Sequence, residues 1–409
     1  MSFYTNVAAL GNNILFRGVS DDGKRFKDRI EYHPTLFIPT KEETKFRTLE
    51  GKPVGKIQPG TMKECKDFIA KYNEVDNFSI YGNDKFEFSF IAEHFPEEHI
   101  DYDFSQIRIA YLDIEVGSED GFPSIENAKE EVTAITFKID GKCYVFGRGE
   151  FVHDREDVFY FRFDSERALL QKFFEMWDKE SPDIVTGWNI ETFDIPYLVN
   201  RAKRLFDENK NPYRLLSPWK KVHAYTMFGM GGKELQAYEI IGVETLDYLQ
   251  MYRKFTYTNQ ESYRLDHIAY VELGERKDDN PYETFRDWYT NDYQSFIEYN
   301  IMCKSHVPYS YFSNILADYH DAKIIGTALL SRSPTFHRTK IVAKLHITRR
   351  LDTRKDSFIT FFFHFTRSSA FPWETTLLSP FPQIGHLKIK KPVLKRDGSF
   401  RGATLFPRN

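Results

Sequence analysis

"AYLDIEVGSEDGFP", residues 110–123, begins as an apolar run suited to a β-strand and sets two carboxylates, Asp113 and Glu115, two positions apart in its middle. Side chains alternate faces along a strand, so residues two apart point the same way, with Cα atoms about 6.5 Å from each other. Tyr111, Asp113 and Glu115 are therefore expected on one face, with Leu112, Ile114 and Val116 forming an apolar face opposite. Such a strand is packed on one side and electrostatically loaded on the other. Two like charges this close, in a partly buried place, persist at neutral pH only where protons or cations offset them. Asp and Glu oxygens are hard ligands suited to magnesium or manganese. The alternative is a solvated polar face at a sheet edge, and a lone D-x-E does not decide between the two. The pair needs partners elsewhere in the chain.

The chain has 409 residues, enough for two or three domains at about 150 residues each. Its 24 Tyr and 38 Phe supply a large core and also flat faces on which nucleic-acid bases stack. Three cysteines, Cys65, Cys143 and Cys303, lie far apart with no C-x-x-C, which points to a reduced cytosolic compartment and away from a zinc site or disulfide framework. The start is not basic and no apolar stretch approaches membrane-spanning length, so neither a signal peptide nor a membrane span is expected. Net charge is −4, unevenly spread: residues 303–409 hold 18 Lys and Arg against 6 Asp and Glu, while the rest is acidic.

Residues 1–105 read as an α+β domain. "ILFRGV", "RFKDRIEY" and "TLFIPT" are strands, "SDDGK" is a hairpin turn, "TMKECKDFIAKY" is a helix, and a second strand pair is expected around "FSIYGNDKFEFSF". From Gln106 the order becomes strand, hairpin, strand, helix, strand, helix. "VTAITFKIDGKCYVFGRG" turns at Asp140-Gly141, and "FYFRF" is a further strand. "SERALLQKFFEMWDKE" is a helix capped by Ser165, with Leu169, Phe173 and Trp177 on its apolar face. "DIVTGW" is a buried strand leading to a helix near Phe193, "ELQAYEIIGVETLDYLQMYRKF" a strand running into a helix, and "SYRLDHIAYVELG" and "TNDYQSFIEYNIM" are helical. This is the order of an α/β layer fold on a mixed central sheet.

Two more stretches carry candidate chemistry. In "TGWNIETFDIPY", residues 186–197, Asp194 falls where a strand-to-helix connection ends, with Pro196 suited to a first helical turn. A carboxylate there is favoured by the helix dipole and sits at the C-terminal sheet edge, where open α/β folds place their sites; a plain helix cap is the bland alternative. In "FIEYNIMCKSHVP", a helix sets Tyr299 and residue 303 one turn apart on one face, where a tyrosine more often packs than reacts.

Taken together, "YLDIEV…DGFP", "TGWNIETFDIPY" and "YTNQESYRLDHIA…YN" resemble the exonuclease motifs of family B replicative DNA polymerases, above all those of tailed bacteriophages. The resemblance covers residues 1 to about 302 and rests on three motifs in order. It implies a ribonuclease-H-like 3′–5′ exonuclease domain at 106–302 that removes mismatched 3′ nucleotides. It further implies two divalent ions, Mg2+ or Mn2+, at Asp113, Glu115 and Asp194: Asp113 bridging them, Glu115 completing the site of the nucleophile-bearing ion, and Asp194 acting mainly through water. Tyr299 matches the family's site tyrosine and would orient the attacking water. Phe122, Asn189 and Phe193 are expected to grip a frayed single strand of DNA by stacking and hydrogen bonding. The implied partners are primer-template DNA and its single-stranded 3′ end, in an infected bacterial host if phage-encoded. A sliding clamp follows from the family alone and is not expected for this fragment.

One position departs from the pattern. The family's third motif is Tyr, three residues, Asp, and here the fourth position after Tyr299 is Cys303, a soft thiol poorly matched to magnesium. The exonuclease is therefore expected to be impaired. The compositional change begins at the same place, and signatures of the polymerase type, D-x-x-S-L-Y-P-S and Y-G-D-T-D-S, are absent. Residues 303–409 read either as a basic DNA-binding extension or, preferably, as the product of a reading frame lost near residue 303. Two other functions compete: a non-cleaving fragment that binds single-stranded DNA or RNA, and a stand-alone ribonuclease, which the 105-residue leader disfavours.

Overall fold

The computed structural model describes residues 2–305, apart from 49, 74, 76–77, 96–99, 101, 120, 229–231, 233, 257–258 and 275–280, together with the backbone of 344–350 and 358–364; of residues 255, 273 and 302–305 the backbone alone is described.

The chain opens with a three-stranded antiparallel sheet, β1 (Phe3–Leu10), β2 (Asn13–Val19) and β3 (Arg25–Glu31). The expected turn at residues 20–24 is present: the Gly23 N–H donates to the Ser20 carbonyl at 2.8 Å, with Gly23 at φ 77°. Next come an antiparallel pair, β4 (Leu36–Pro39) and β5 (Val54–Ile57), and α1 (Met62–Tyr72), whose start is fixed by a reciprocal capping box between Thr61 and Glu64.

The strand pair expected over 78–90 is corrected: residues Phe86–His94 form a helix, α2. Phe86 and Phe90 are one turn apart and both buried, and Phe90 packs against Phe16 and Tyr32 with ring centroids 5.1 and 5.5 Å away. Helical spacing puts both rings into one core, whereas the F-E-F-S-F alternation was only a local pattern. β1 had no clear signal in the sequence reading.

A mixed six-stranded sheet follows, built from β6 (Ile109–Val116), β7 (Val132–Ile139), β8 (Lys142–Gly147), β9 (Val158–Arg162), β10 (Ile184–Gly187) and, later in the chain, residues Glu244–Asp247. Between β9 and β10 runs α3 (Glu166–Glu180), and after β10 comes α4 (Asp194–Leu205). An antiparallel hairpin, β11 (Val222–Phe228) and β12 (Glu234–Ile240), precedes the last sheet strand, β13 (Glu244–Asp247). The sheet order is β13-β10-β6-β7-β8-β9. β10 is parallel to both β6 and β13, and β8 to β9, while β6-β7 and β7-β8 are antiparallel. Helices α5 (Tyr248–Phe255), α6 (Leu265–Leu273), α7 (Phe285–Asn291) and α8 (Tyr293–Ser305) complete this part. The mixed α/β class and the mixed central sheet are as expected.

Both faces of the sheet are covered. On one, Leu112, Ile114, Val116 and Phe137 meet Leu169, Phe173 and Trp177 of α3 and Ile195 and Leu198 of α4. On the other, Ala134, Cys143 and Val145 meet Phe296, Ile297 and Ile301 of α8 and Trp288 of α7. The hairpin turn at Asp140-Gly141 has φ of 49° and 75°, the left-handed pair that favours Asp-Gly. The single strand expected from "ELQAYEIIGVETL" is two strands broken at Gly242, where φ is 93° and a Cβ would lie 2.7 Å from Pro218.

The first sheet is tied to the central one by buried charge. The Arg17 guanidinium donates to the carbonyls of Pro182 and Gly242 at 2.9 and 2.7 Å, and both Arg17 and Arg25 pair with the fully buried Asp183. Among the described residues no helix is long and apolar enough to cross a membrane. The expectations for the basic tail fall almost wholly outside the described residues. Within it, β14 (Lys344–Arg350) and β15 (Phe358–His364) pair as a two-stranded ladder.

Candidate active site

β6 realises the alternation read from its sequence: Ala110, Leu112, Ile114 and Val116 are buried, and Tyr111, Asp113 and Glu115 between them are half-buried. In register with β7, Asp113 lies opposite Thr136 and Glu115 opposite Ala134, so the acids face the side of the sheet that α8 covers. Here α8 contributes a residue the sequence reading passed over. Asn300 is fully buried, and its side-chain Nδ2 donates to Asp113 Oδ2 and to Glu115 Oε1, each at 3.3 Å, while its Oδ1 accepts from the Thr136 hydroxyl.

Asp194 arrives from a different part of the sheet. β10 pairs with β6 only as far as Thr186 opposite Tyr111, then turns away at Gly187, where a Cβ would lie 2.6 Å from the Leu112 carbonyl oxygen and 2.4 Å from Ile190 Cγ2. Only glycine lets the backbones pass so closely. The Ile114 N–H, beyond the end of that ladder, donates to Asp194 Oδ1 at 3.0 Å. Asp194 is the first residue of α4, with Phe193 rather than Asp194 at the N-cap position, so it does not act as the cap considered above. Burial holds the Asp194 carboxyl well above the ordinary carboxylate range, with added repulsion from Asp247 and Glu115 and partial relief from the Ile114 bond.

The connection between β10 and α4 is held by Asp247, a second residue that sequence reasoning missed. Its Oδ1 accepts from the N–H groups of Asn189 at 3.0 Å and Leu249 at 2.9 Å, and its Oδ2 from the Glu191 N–H at 3.0 Å. It also caps α5. The available signal was an Asp at the end of an apolar strand, immediately before a helix. Burial pushes its carboxyl up, against three backbone bonds that pull it down.

Of the residues expected to grip a single strand, Asn189 and Phe193 lie in this loop and Phe122 reaches it from the β6–β7 connection. Phe122, 71% exposed, meets Phe193 with ring centroids 4.8 Å apart, and Phe193 packs onto the core below. Asn189 takes the left-handed conformation, φ 66°, and its side-chain oxygen accepts from the Thr192 hydroxyl, so part of its hydrogen-bonding capacity shapes the loop. Tyr299, half-buried, packs against Trp288 and Phe285 with centroids 4.6 and 6.1 Å away. Cys303 lies on α8 one turn further on, and its side chain is outside the described residues.

Among the described residues no group of three or more His, Cys, Asp or Glu is disposed to hold a metal ion. Asp113 and Glu115 still offer only hard oxygen donors on one face, and a small hard cation such as Mg2+ is held through one or two carboxylates with water completing its shell. The donor chemistry therefore fits such an ion.

Comparison with known proteins agrees with this architecture. The family model described as DNA polymerase family B, exonuclease domain, matches residues 56–268. The chain is 33% identical over 331 residues to the DNA-directed DNA polymerase of Escherichia phage RB69, a match covering 73% of this chain and 36% of that protein. It is 33% identical over 330 residues to the DNA-directed DNA polymerase of Enterobacteria phage T4, with the same coverage of 73% and 36%. A match of 28% over 189 residues to the DNA polymerase catalytic subunit of Alcelaphine herpesvirus 1 covers 44% of this chain and 18% of that one. The chain thus spans about a third of the length of the phage relatives. With more than half its residues inside the matched domain, the chain belongs to the family B DNA polymerases, through their exonuclease domain.

Proposed function

We propose that residues 106–302 form a 3′–5′ exonuclease centre that hydrolyses the terminal phosphodiester of a DNA strand, and that residues 1–105 support it as a separate α+β domain. The observation that carries this reading is the pair Asp113 and Glu115 on one strand face, with Asp194 accepting from the Ile114 N–H between them, within a match to a family B exonuclease domain.

Water attacks the terminal phosphorus, the P–O3′ bond breaks, and a mononucleotide leaves while the shortened strand keeps a 3′ hydroxyl. Two divalent ions, when bound, would supply hydroxide at neutral pH and neutralise the departing 3′ oxygen. Asp113 and Glu115 would hold them directly and Asp194 mainly through water. Tyr299 would orient the attacking water by its hydroxyl. Phe122 and Phe193 provide a two-ring platform for the terminal bases, with Asn189 beside it. Cys303 removes the acid that the family pattern places one turn beyond Tyr299, so cleavage is weak in this chain. Polymerisation belongs to the longer relatives, and for this chain it is part of the proposal that a full-length protein would pair proofreading with synthesis.

The test is magnesium-dependent shortening of a 5′-labelled single-stranded oligodeoxynucleotide by the wild type, Cys303→Asp and Asp113→Ala. Cys303→Asp should cleave at least about tenfold faster than wild type, and Asp113→Ala not at all. A folded Cys303→Asp protein without cleavage would overturn the assignment. A second reading, a fragment that holds single strands without cutting them, is favoured by the thiol at position 303. It would be supported by DNA binding that survives Asp113→Ala while no variant cleaves.

A further inference from the structure

From the hydrogen bonds around Asn300 we infer that this residue, braced by Thr136, is the positioning residue that presents Asp113 and Glu115 to a divalent cation. The inference rests on reading those two acids as cation ligands.

The amide nitrogen stands 3.3 Å from one oxygen of each acid, equally shared between the two like charges. Its orientation is dictated by its surroundings. Thr136 lies directly across the ladder from Asp113, is fully buried, and donates its hydroxyl proton to Asn300 Oδ1. A flipped amide would turn its carbonyl oxygen toward two carboxylates and its N–H groups toward a hydroxyl that must then accept, so one arrangement is strongly preferred. The relay Thr136 to Asn300 to Asp113 and Glu115 crosses from β7 to α8 to β6 and ties three elements to one pair of side chains.

The direction of approach separates positioning from blocking. Asn300 is fully buried, whereas both acids are half-buried, so the amide contacts them from the protein side. An ionised carboxylate has about four acceptor sites, and the amide uses one on each. Hydrogen bonds of this kind from behind a ligand fix its orientation, and their loss typically costs 10- to 100-fold in metal affinity.

The experiment measures Mn2+ affinity of the full 409-residue chain by electron paramagnetic resonance of free Mn2+ and by calorimetry, with no DNA present. Variants are Asp113→Asn, Asn300→Leu, Thr136→Val and Thr136→Ser. Expected are measurable binding by wild type, its loss in Asp113→Asn, affinity about 10- to 100-fold weaker in Asn300→Leu and Thr136→Val, and near wild-type affinity in Thr136→Ser, which keeps the hydroxyl. Should Asn300→Leu fail to fold, the near-isosteric Thr136 pair decides alone. Wild-type affinity in both Asn300→Leu and Thr136→Val, or tighter binding in either, overturns the inference. A wild type that binds no Mn2+, or an Asp113→Asn variant that binds it equally well, overturns instead the reading of the acids as ligands.

Discussion

The Ile114 N–H donates to Asp194 Oδ1 at 3.0 Å, so a side chain at the head of α4 completes the hydrogen bonding of a strand 80 positions earlier. That bond sits between Asp113 and Glu115, and it partly offsets the cost of a fully buried carboxyl that Asp247 and Glu115 also repel.

In metal-free protein the pH dependence of stability follows from this placement. The folded-state pKa of Asp194 is raised, so between the ordinary carboxylate value and the raised one the folded chain binds more protons than the unfolded chain. Stability contributed by this group is therefore lost as pH rises through that window. Asp194→Asn keeps the acceptor for Ile114 and removes the charge. In EDTA it should be more stable than wild type at neutral pH, with the gap closing as pH falls. Urea melts from roughly pH 5 to 8 that run parallel for the two proteins would contradict this.

Gly187→Ala tests the backbone crossing. A methyl group there meets the Leu112 carbonyl and Ile190 at distances no real Cβ accepts, so β10 must shift from β6. A loss of about 1–3 kcal/mol is expected, read as a lower urea midpoint. Unchanged stability would show that the strands separate freely at this point.

Arg201 and Glu166 form a buried bidentate pair at 2.8 and 2.6 Å. Glu166 also accepts from the Val132 N–H, and Arg201 donates to the carbonyls of Ala128 and Lys129. Arg201→Met leaves the acid buried and unpaired and should cost about 3–5 kcal/mol. Adding Glu166→Gln should recover part of that loss, and a double variant no better than the single would contradict the pairing.

Phe122 is exposed and lies tilted against Phe193, so Phe122→Ala should leave the melting temperature unchanged. Its affinity for single-stranded oligodeoxynucleotide should fall by roughly 5- to 100-fold, as expected for one base–aromatic contact. Fluorescence anisotropy in EDTA measures this, and equal affinity would remove Phe122 from the DNA-gripping set.

Much of the fold was legible because its signals are local. Ser165 accepts from the Ala168 N–H as a helix cap, and Leu169, Phe173 and Trp177 are all buried; each follows from a spacing of three or four residues. Asp140-Gly141 turns as its two side chains require. The helix at Phe86–His94 was misread because alternation over a few residues is weak against the pull of a shared core on Phe86 and Phe90.

Sequence alone determined that Asp113 and Glu115 share a face, since strand geometry makes that a matter of counting, and that Asp194 starts a helix beyond a buried strand. Only the tertiary structure decided what stands against them. Asn300 of α8, braced by Thr136 of β7, bonds to Asp113 and Glu115, the Ile114 N–H of β6 bonds to Asp194, and Asp247 of β13 holds the loop that leads to Asp194. Contacts between residues 58 to 187 positions apart leave no periodicity in the chain, because they are set by how sheet and helix pack and not by any local conformational preference.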